Sequence, residues 1–293
     1  MKNTFRIISF CLVVALLSGC GLTKNQIVKT QSFGSATTSI GALGEEEFLN
    51  IRNGIIEMNK ELVSIDNTKT SNSLVFDKPT FTEPTSERIA ACKALKLYGE
   101  LLVQLVTEDR SENLQKAANK LIDNTTVALK KDLTEDQKVA INKIIVGLGS
   151  FWVEKKKADA AKEIIPAYKQ PVDDLAELLI EDFSLEEGTL GYLKAYNTTA
   201  KRLKNASMRL VNAGNKYSVL ERDRAVHAFV IAEKAIIKST ELSKKAKKAI
   251  DGLKKANNEL VKVINKQEYS TDDIKKYAEQ IQELVNVYQV LTN

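Results

Sequence analysis

The sequence is poor in the side chains that most catalytic and metal sites use. It has one His, three Cys, one Trp and four Pro in 293 residues. One His argues against any site that needs two imidazoles, and three Cys are too few for a disulfide framework. Four Pro and thirteen Gly are also too few for the many turns of a β-sandwich or a β-barrel.

Helix-forming residues dominate what is present. Ala, Leu, Ile, Val, Lys and Glu are abundant, which favours long helices. Apolar residues recur at three- and four-residue steps, as in Phe48, Ile51, Ile55, Met58 and Leu62. Capping boxes at Thr134 to Gln137 and at Ser184 to Glu187 predict two helix starts. The sequence therefore predicts an all-α protein, an elongated or multi-helix bundle of about seven or eight amphipathic helices.

The first residues have the pattern of an export signal. Lys2 and Arg6 precede an uncharged apolar run from Ile7 to Leu17, which is eleven residues long. A membrane-spanning helix needs about 20 apolar residues, so this run is too short to be a stable anchor. We expect residues 1–19 to be a signal peptide that is removed.

Leu17-Ser18-Gly19-Cys20 follows this run and resembles the lipobox of bacterial lipoproteins. The resemblance implies transfer of a diacylglyceryl group to the Cys20 sulfur, cleavage before Cys20 and often a further acyl chain, such as palmitate, on the new amino group. Two or three acyl chains attach a protein stably to a bilayer. The alternative is an ordinary secretory signal with an incidental Cys.

The residue after Cys20 bears on which membrane is used. Gly21 stands where Gram-negative lipoproteins kept at the inner membrane usually have Asp. By resemblance, its absence implies the outer membrane, with the protein facing the periplasm. Gly at this position is also common in Gram-positive lipoproteins, so the cell type stays open.

Residues 20–44 are expected to form a flexible tether after the lipidated Cys20. The segment is rich in Ser, Thr and Gly, and as a random coil its last 24 residues would span about 27 Å. The alternative is that Phe33, Ile40 and Leu43 pack on the body. The helical domain is expected over 45–293, with a subdivision near 166–190 as an option.

Charge is distributed unevenly along this domain. Residues 45–193 have 19 basic and 27 acidic side chains, whereas residues 194–262 have 17 basic and 6 acidic ones. The densest basic run is a candidate site for a protein partner or a membrane surface, and consists of Lys244, Lys245, Lys247, Lys248, Lys254 and Lys255. The alternative is a solvated helix face. Nucleic acid is not expected as a partner, because the chain is exported and no aromatic residues interleave with these lysines.

A short heptad pattern overlaps the end of this run. The steps between its positions alternate between three and four residues, and one of the five positions is polar. The positions are Ile250, Leu253, Asn257, Leu260 and Ile264. Such a coiled-coil seam serves either packing within the bundle or dimerisation, and a seam this short favours the former.

No catalytic residue, cofactor or metal site is expected. His227 has no second His or Glu at metal-binding spacing, and no Cys-His signature accompanies Cys92. Paired acids could serve glycoside hydrolysis, but the acidic clusters fit helix N-termini, where they stabilise the dipole. These clusters are Glu45, Glu46 and Glu47, and Glu181, Asp182, Glu186 and Glu187.

These observations predict a membrane-anchored envelope lipoprotein without enzymatic activity, which binds a protein partner or acts as a scaffold. An accessory role in a secretion or conjugation system, or immunity against a delivered toxin, fits equally. One alternative is a cell-wall enzyme that uses Glu186 or Glu187. Another is a periplasmic small-ligand carrier, which would need a closed apolar pocket above about 300 Å³.

Overall fold

A computed structural model describes residues 21–65, 76, 82–107, 112–146, 154–188, 191–265 and 272–292. The predicted signal peptide and the segment that resembles a lipobox, with Cys20, lie outside the described residues. Over the described ranges the chain forms nine α-helices and no strand. The predicted all-α bundle is confirmed, with nine helices in place of seven or eight.

Two of these helices are much longer than the others and run through the whole bundle. The helices are α1 Lys24–Ile65, α2 Thr82–Thr107, α3 Glu112–Leu129, α4 Glu135–Val146, α5 Glu154–Ala167, α6 Lys169–Asp182, α7 Tyr192–Asn212, α8 Val219–Ile264 and α9 Asp273–Thr292. At 1.5 Å per residue, α1 and α8 are about 63 and 69 Å long. Helix α1 packs against α2, α7, α8 and α9, and α8 packs against α1, α5, α6, α7 and α9, so these two helices form the centre of the bundle. Residues from both sides of 166–190 share one hydrophobic core.

The predicted tether is wrong for residues 24–44, which form the first half of α1. Phe33 is fully buried and Ile40 is buried, so the alternative of packing on the body is what the structure has. The Ser, Thr and Gly residues that resemble a linker instead let two helices come close together. Low helix propensity was overridden by tertiary packing.

The close approach is between α1 and α2. A Cβ atom added to Gly34 would lie 2.7 Å from the carbonyl oxygen of Gly99, and one added to Gly41 would lie 2.5 Å from that of Cys92. These contacts are with backbone, which cannot move aside as a flexible side chain could. Glycine is therefore required where the two helices cross.

Polar side chains at the start of α1 connect it to the junction of α8 and α9. The Gln26 amide donates to the Val263 carbonyl oxygen at 3.0 Å. Lys29 pairs with the buried Glu259 at 3.2 Å, and Glu259 also accepts the Ile274 backbone N–H at 2.9 Å. Because α8 ends and α9 begins here, these bonds satisfy backbone groups that helix ends leave unpaired.

The other end of α1 lies beside the start of α8. The Arg224 guanidinium donates to the Ser64 hydroxyl at 3.1 Å and lies 3.8 Å from the Glu61 carboxylate. The two long helices therefore run antiparallel. The N-terminus of α1 is at one end of the bundle, and its C-terminus is at the other with the start of α8.

Local sequence signals placed one helix start correctly and one incorrectly. The Gln137 side chain accepts the Thr134 backbone N–H at 2.9 Å, as the predicted capping box before α4 requires. The capping box predicted at Ser184 is wrong, because Ser184 accepts from Glu186 within a turn and the next helix begins only after Gly191. A Cβ atom at Gly191 would lie 2.8 Å from the Asp182 Cα atom, so the chain first folds back over the end of α6.

The heptad pattern in α8 serves packing within the bundle. Its five positions are buried, and the Asn257 amide donates to the Lys169 carbonyl oxygen and to the Asp173 carboxylate, both at 3.0 Å. This seam is therefore covered by α6 of the same chain. Among the described helices, none is both long enough and apolar enough to cross a bilayer.

We predict that Gly41→Ala lowers the free energy of unfolding by about 1–3 kcal/mol, the usual cost of overpacking. The added methyl group would push against the α2 backbone at Cys92 and Lys96. In a helix without this neighbour the same change would stabilise by up to about 1 kcal/mol, and in a flexible tether it would do nothing. Urea unfolding followed by circular dichroism measures the difference.

The matched control for this prediction is Ser35→Ala, at an exposed position of the same helix. It should change the free energy of unfolding by less than about 0.5 kcal/mol. A neutral or stabilising Gly41→Ala would contradict the close crossing of α1 and α2.

Candidate functional site

The lysine run of α8 is largely engaged in ion pairs within the molecule. Lys245 and Lys248 approach the Glu283 carboxylate of α9 at 2.5 and 3.4 Å, and Lys247 approaches Glu186 at 2.5 Å. The hydrogen bond from Lys245 lowers the pKa of Glu283. The bond between Lys247 and Glu186 raises the pKa of the lysine and lowers that of the glutamate.

The remaining lysines of the run divide in the same way. Lys254 pairs with Glu177 of α6, whereas Lys244 and Lys255 are exposed on the outer face of α8. Four of the six lysines are therefore paired within the molecule, two with Glu283 of α9 and two with Glu177 and Glu186 of the acidic zone. It does not form one free basic face.

The acidic clusters are also distributed among different partners. The buried Asp182 lies 2.8 Å from the Arg88 guanidinium, and its pKa is raised by burial against the opposing effect of Arg88. Glu186 is on an exposed turn with Lys247, and Glu181 and Glu187 are exposed. Within the described chain these carboxylates are thus bound to separate cations or open to solvent.

Of the first acidic cluster, Glu47 is buried in the middle of the bundle. Its carboxylate lies 3.0 Å from the Lys238 ammonium, and burial raises its pKa. The enclosed apolar cavity beside it has a volume of about 20 Å³. That space has room for about one water molecule and is far below the about 300 Å³ that a small-ligand carrier needs.

His227 and Cys92 have ordinary environments. His227 is exposed on α8. Cys92 is fully buried, and burial raises the pKa of its thiol, so the reactive thiolate is disfavoured. In the parts of the chain described by the structure, no three His, Cys, Asp or Glu side chains come together as a metal site would require.

An open groove lies at the end of the bundle where α1 finishes. It runs between the end of α1 and the second half of α7, and its volume is about 1000 Å³. The apolar lining comes from Leu62 of α1, from Ala206 and Met208 of α7, and from Ala213 directly after α7. Met208 keeps 41% of its surface exposed, so part of this lining is open to solvent.

A polar row borders the same groove. Arg202, Asn205, Arg209 and Asn212 follow one another at steps of three, four and three residues along α7, which places them on one face. All four are exposed. Within the described residues, neither arginine has a carboxylate partner. A guanidinium can bind a carboxylate with two parallel hydrogen bonds, and an Asn amide can both donate to and accept from a peptide backbone.

Sequence reasoning placed these arginines in the basic zone but did not single them out. A charge count over a shorter window points to this region more sharply than the count over 194–262, because residues 188–220 contain six Lys or Arg and no Asp or Glu. Two of the six are used locally. Lys194 donates to the Leu185 carbonyl oxygen at 3.0 Å, and Lys204 pairs with Glu233.

The groove lies far from the N-terminus of α1. Leu62 follows Gln26 by 36 residues on one continuous helix, which corresponds to about 54 Å. Anything attached before α1 is therefore at one end of the molecule, with the groove at the other.

Comparison with known proteins gives no match: no family model, no curated protein and no solved structure matches the chain.

We predict that Lys245→Glu lowers the thermal midpoint by a few degrees, because it places two carboxylates together where Lys245 now meets Glu283. Lys244→Glu, one residue away and exposed, is the matched control and should have almost no effect. The exchange Lys245→Glu with Glu283→Lys should recover part of the stability, because it restores this pair but sets the new lysine at position 283 beside Lys248. Equal midpoints for both single variants would show that the pair does not stabilise the bundle.

Proposed function

We propose that this protein is a lipid-anchored envelope protein without enzymatic activity, which binds an acidic segment of a partner protein in the groove between α1 and α7. The observation that carries the proposal is the pair of exposed arginines in that groove, Arg202 and Arg209, which have no carboxylate partner among the described residues. The lysines of the 244–255 run, by contrast, are mostly paired within the molecule.

The lipobox supports the anchor. Acylated Cys20 would fix the chain to a bilayer through two or three acyl chains, and Gly21 favours the outer membrane, facing the periplasm. Only Gly21, Leu22 and Thr23 stand between Cys20 and the start of α1. Because α1 is a core helix, the folded body would then follow the anchor directly, in place of the flexible tether that the composition predicts.

The groove supports the partner chemistry. Its apolar lining favours the hydrophobic side of a peptide, and Arg202 and Arg209 favour Asp or Glu one to two helical turns apart on that peptide. The basic balance of residues 194–262 would add long-range attraction. Such attraction raises association rates and weakens with salt.

We predict that Cys20→Ala releases the protein from membranes. Without the thioether no diacylglyceryl group can be attached, and no described helix can span the bilayer. Fractionation of cells and mass spectrometry of the mature N-terminus measure this. Ser18→Thr is a conservative control in the same motif and should stay with the membrane. An unlipidated Cys20 in native material would refute the anchor.

We predict that the double variant Arg202→Glu with Arg209→Glu no longer binds the partner protein in the groove. It should still fold, because both side chains are exposed. A photo-reactive amino acid at Asn205 would be crosslinked in living cells, and the product identified by mass spectrometry. The expected product is a protein whose crosslinked segment is acidic, and its yield should fall at least tenfold in the double variant.

The matched control is Lys244→Glu with Lys255→Glu, which makes the same charge change at two exposed positions of α8. It should leave the crosslink unchanged. Equal loss in both double variants would indicate a general charge effect and would refute specific recognition in the groove. A crosslink that persists after Arg202→Glu with Arg209→Glu would refute the role of the arginines.

A further inference from the structure

The first half of α8 presents a row of apolar side chains to solvent. Val219, Val226, Val230 and Ile237 are 87%, 49%, 45% and 53% exposed. Their spacing of seven, four and seven residues places them along one face of the helix. The opposite face, with Ala225, Ala228, Ala232 and Ala235, is buried in the bundle. The row is therefore a second apolar face, separate from the one that packs in the core.

The row is symmetric about the level of Ala228. Val219 and Ile237 lie nine residues before and nine residues after it, and Val226 and Val230 lie two residues before and two after. When two identical helices meet antiparallel at that level, Val219 of each faces Ile237 of the other. Val226 likewise faces Val230. A two-fold axis requires this kind of self-complementary surface.

The charges beside the row obey the same symmetry. Asp223 and Lys234 are eleven residues apart, about three turns, and so share one edge of the row. Arg222 and Glu233 are also eleven apart and share the other edge, where the half-buried Glu233 also pairs with Lys204 of its own chain. In an antiparallel pair each edge meets its own copy, so Asp223 faces Lys234 and Arg222 faces Glu233. Opposite charges thus meet on both edges.

The continuation of the row disfavours the parallel arrangement. Beyond Ile237 the same outer face carries Lys244, Lys248 and Lys255, all exposed. A parallel pair in register would set each of these lysines against its own copy, which is repulsive. In the antiparallel pair, Lys244 lies beyond the level of Ser218, where the partner's α8 begins. The contact then ends where the apolar row ends.

We infer that two copies of this chain associate through the outer face of α8, antiparallel about Ala228, with Val219, Val226, Val230 and Ile237 of each copy buried between them. The contact spans about five helical turns, which is at the small end of specific interfaces. We therefore expect a reversible dimer. This surface belongs to α8, whereas the groove belongs to α1 and α7. The dimer and the partner site can therefore be tested independently of each other.

The first test measures mass against concentration for the full chain solubilised in detergent, by sedimentation equilibrium. The unsubstituted protein should pass from monomer to dimer, and Val226→Glu with Val230→Glu should weaken this association at least tenfold. Val290→Glu is the matched control, since Val290 is 78% exposed but lies on α9. A monomer at all concentrations, or equal weakening by the control, would overturn the inference.

The second test determines the direction of pairing by disulfide formation. Val219→Cys and Ile237→Cys proteins are oxidised alone and as an equal mixture, with Val290→Cys as the measure of random collision. The antiparallel pair brings residue 219 of one copy to residue 237 of the other, so the mixture should crosslink at least tenfold more than either protein alone. The unsubstituted chain controls for its own cysteines, of which Cys92 is fully buried.

Three outcomes of these tests would contradict the inference. Crosslinking of Val219→Cys with itself would mean that the helices pair parallel. Absence of any crosslink above the Val290→Cys level would mean that this face does not join two copies. Binding of monomers to anionic vesicles that is lost in Val226→Glu with Val230→Glu, without crosslinks in the mixture, would assign the row to a membrane surface.

Discussion

The close crossing of α1 and α2 is the contact on which the rest of the bundle depends. Helix α1 contacts four other helices, and it can lie at the centre only because the glycines at 34, 41 and 99 let two backbones come together. At the same level Phe33 packs against Tyr98 of α2 and Tyr277 of α9, with ring centroids 6.4 and 5.8 Å apart. Small residues at the crossing and aromatic rings around it place the first helix in the core.

Buried polar groups then determine how the long helices are arranged end to end. Gln26 and Lys29 at the start of α1 bind the junction of α8 and α9, while Glu47 and Lys238 connect the middle of α1 to the middle of α8. Each bond satisfies a group that would be costly to bury alone. The antiparallel arrangement that results separates the N-terminus from the groove by the full length of α1.

The basic zone has two physical roles that its composition does not distinguish. In the second half of α8, lysines meet carboxylates of α6, α9 and the turn after α6, so that their charge is neutralised inside the molecule. In α7, the groove arginines have no such partner among the described residues. The difference arises because α6, the turn after it and α9 place carboxylates beside the second half of α8, whereas no described element places one beside this face of α7. Surface charge becomes available for recognition where neighbouring helices do not supply the opposite charge.

The sequence by itself determined the helical class, the capping box at Thr134 and the buried seam around Asn257, because each depends on residues within one or two helical turns. It also contains Leu17-Ser18-Gly19-Cys20, and the proposal of a lipobox there rests only on the local order of residues along the chain. Tertiary structure alone decided that residues 24–44 are a core helix, since Gly34 and Gly41 resemble a linker until α2 lies against them. It likewise decided which basic residues are free, because Glu283 lies 38 residues from Lys245 in sequence and 2.5 Å from it in space.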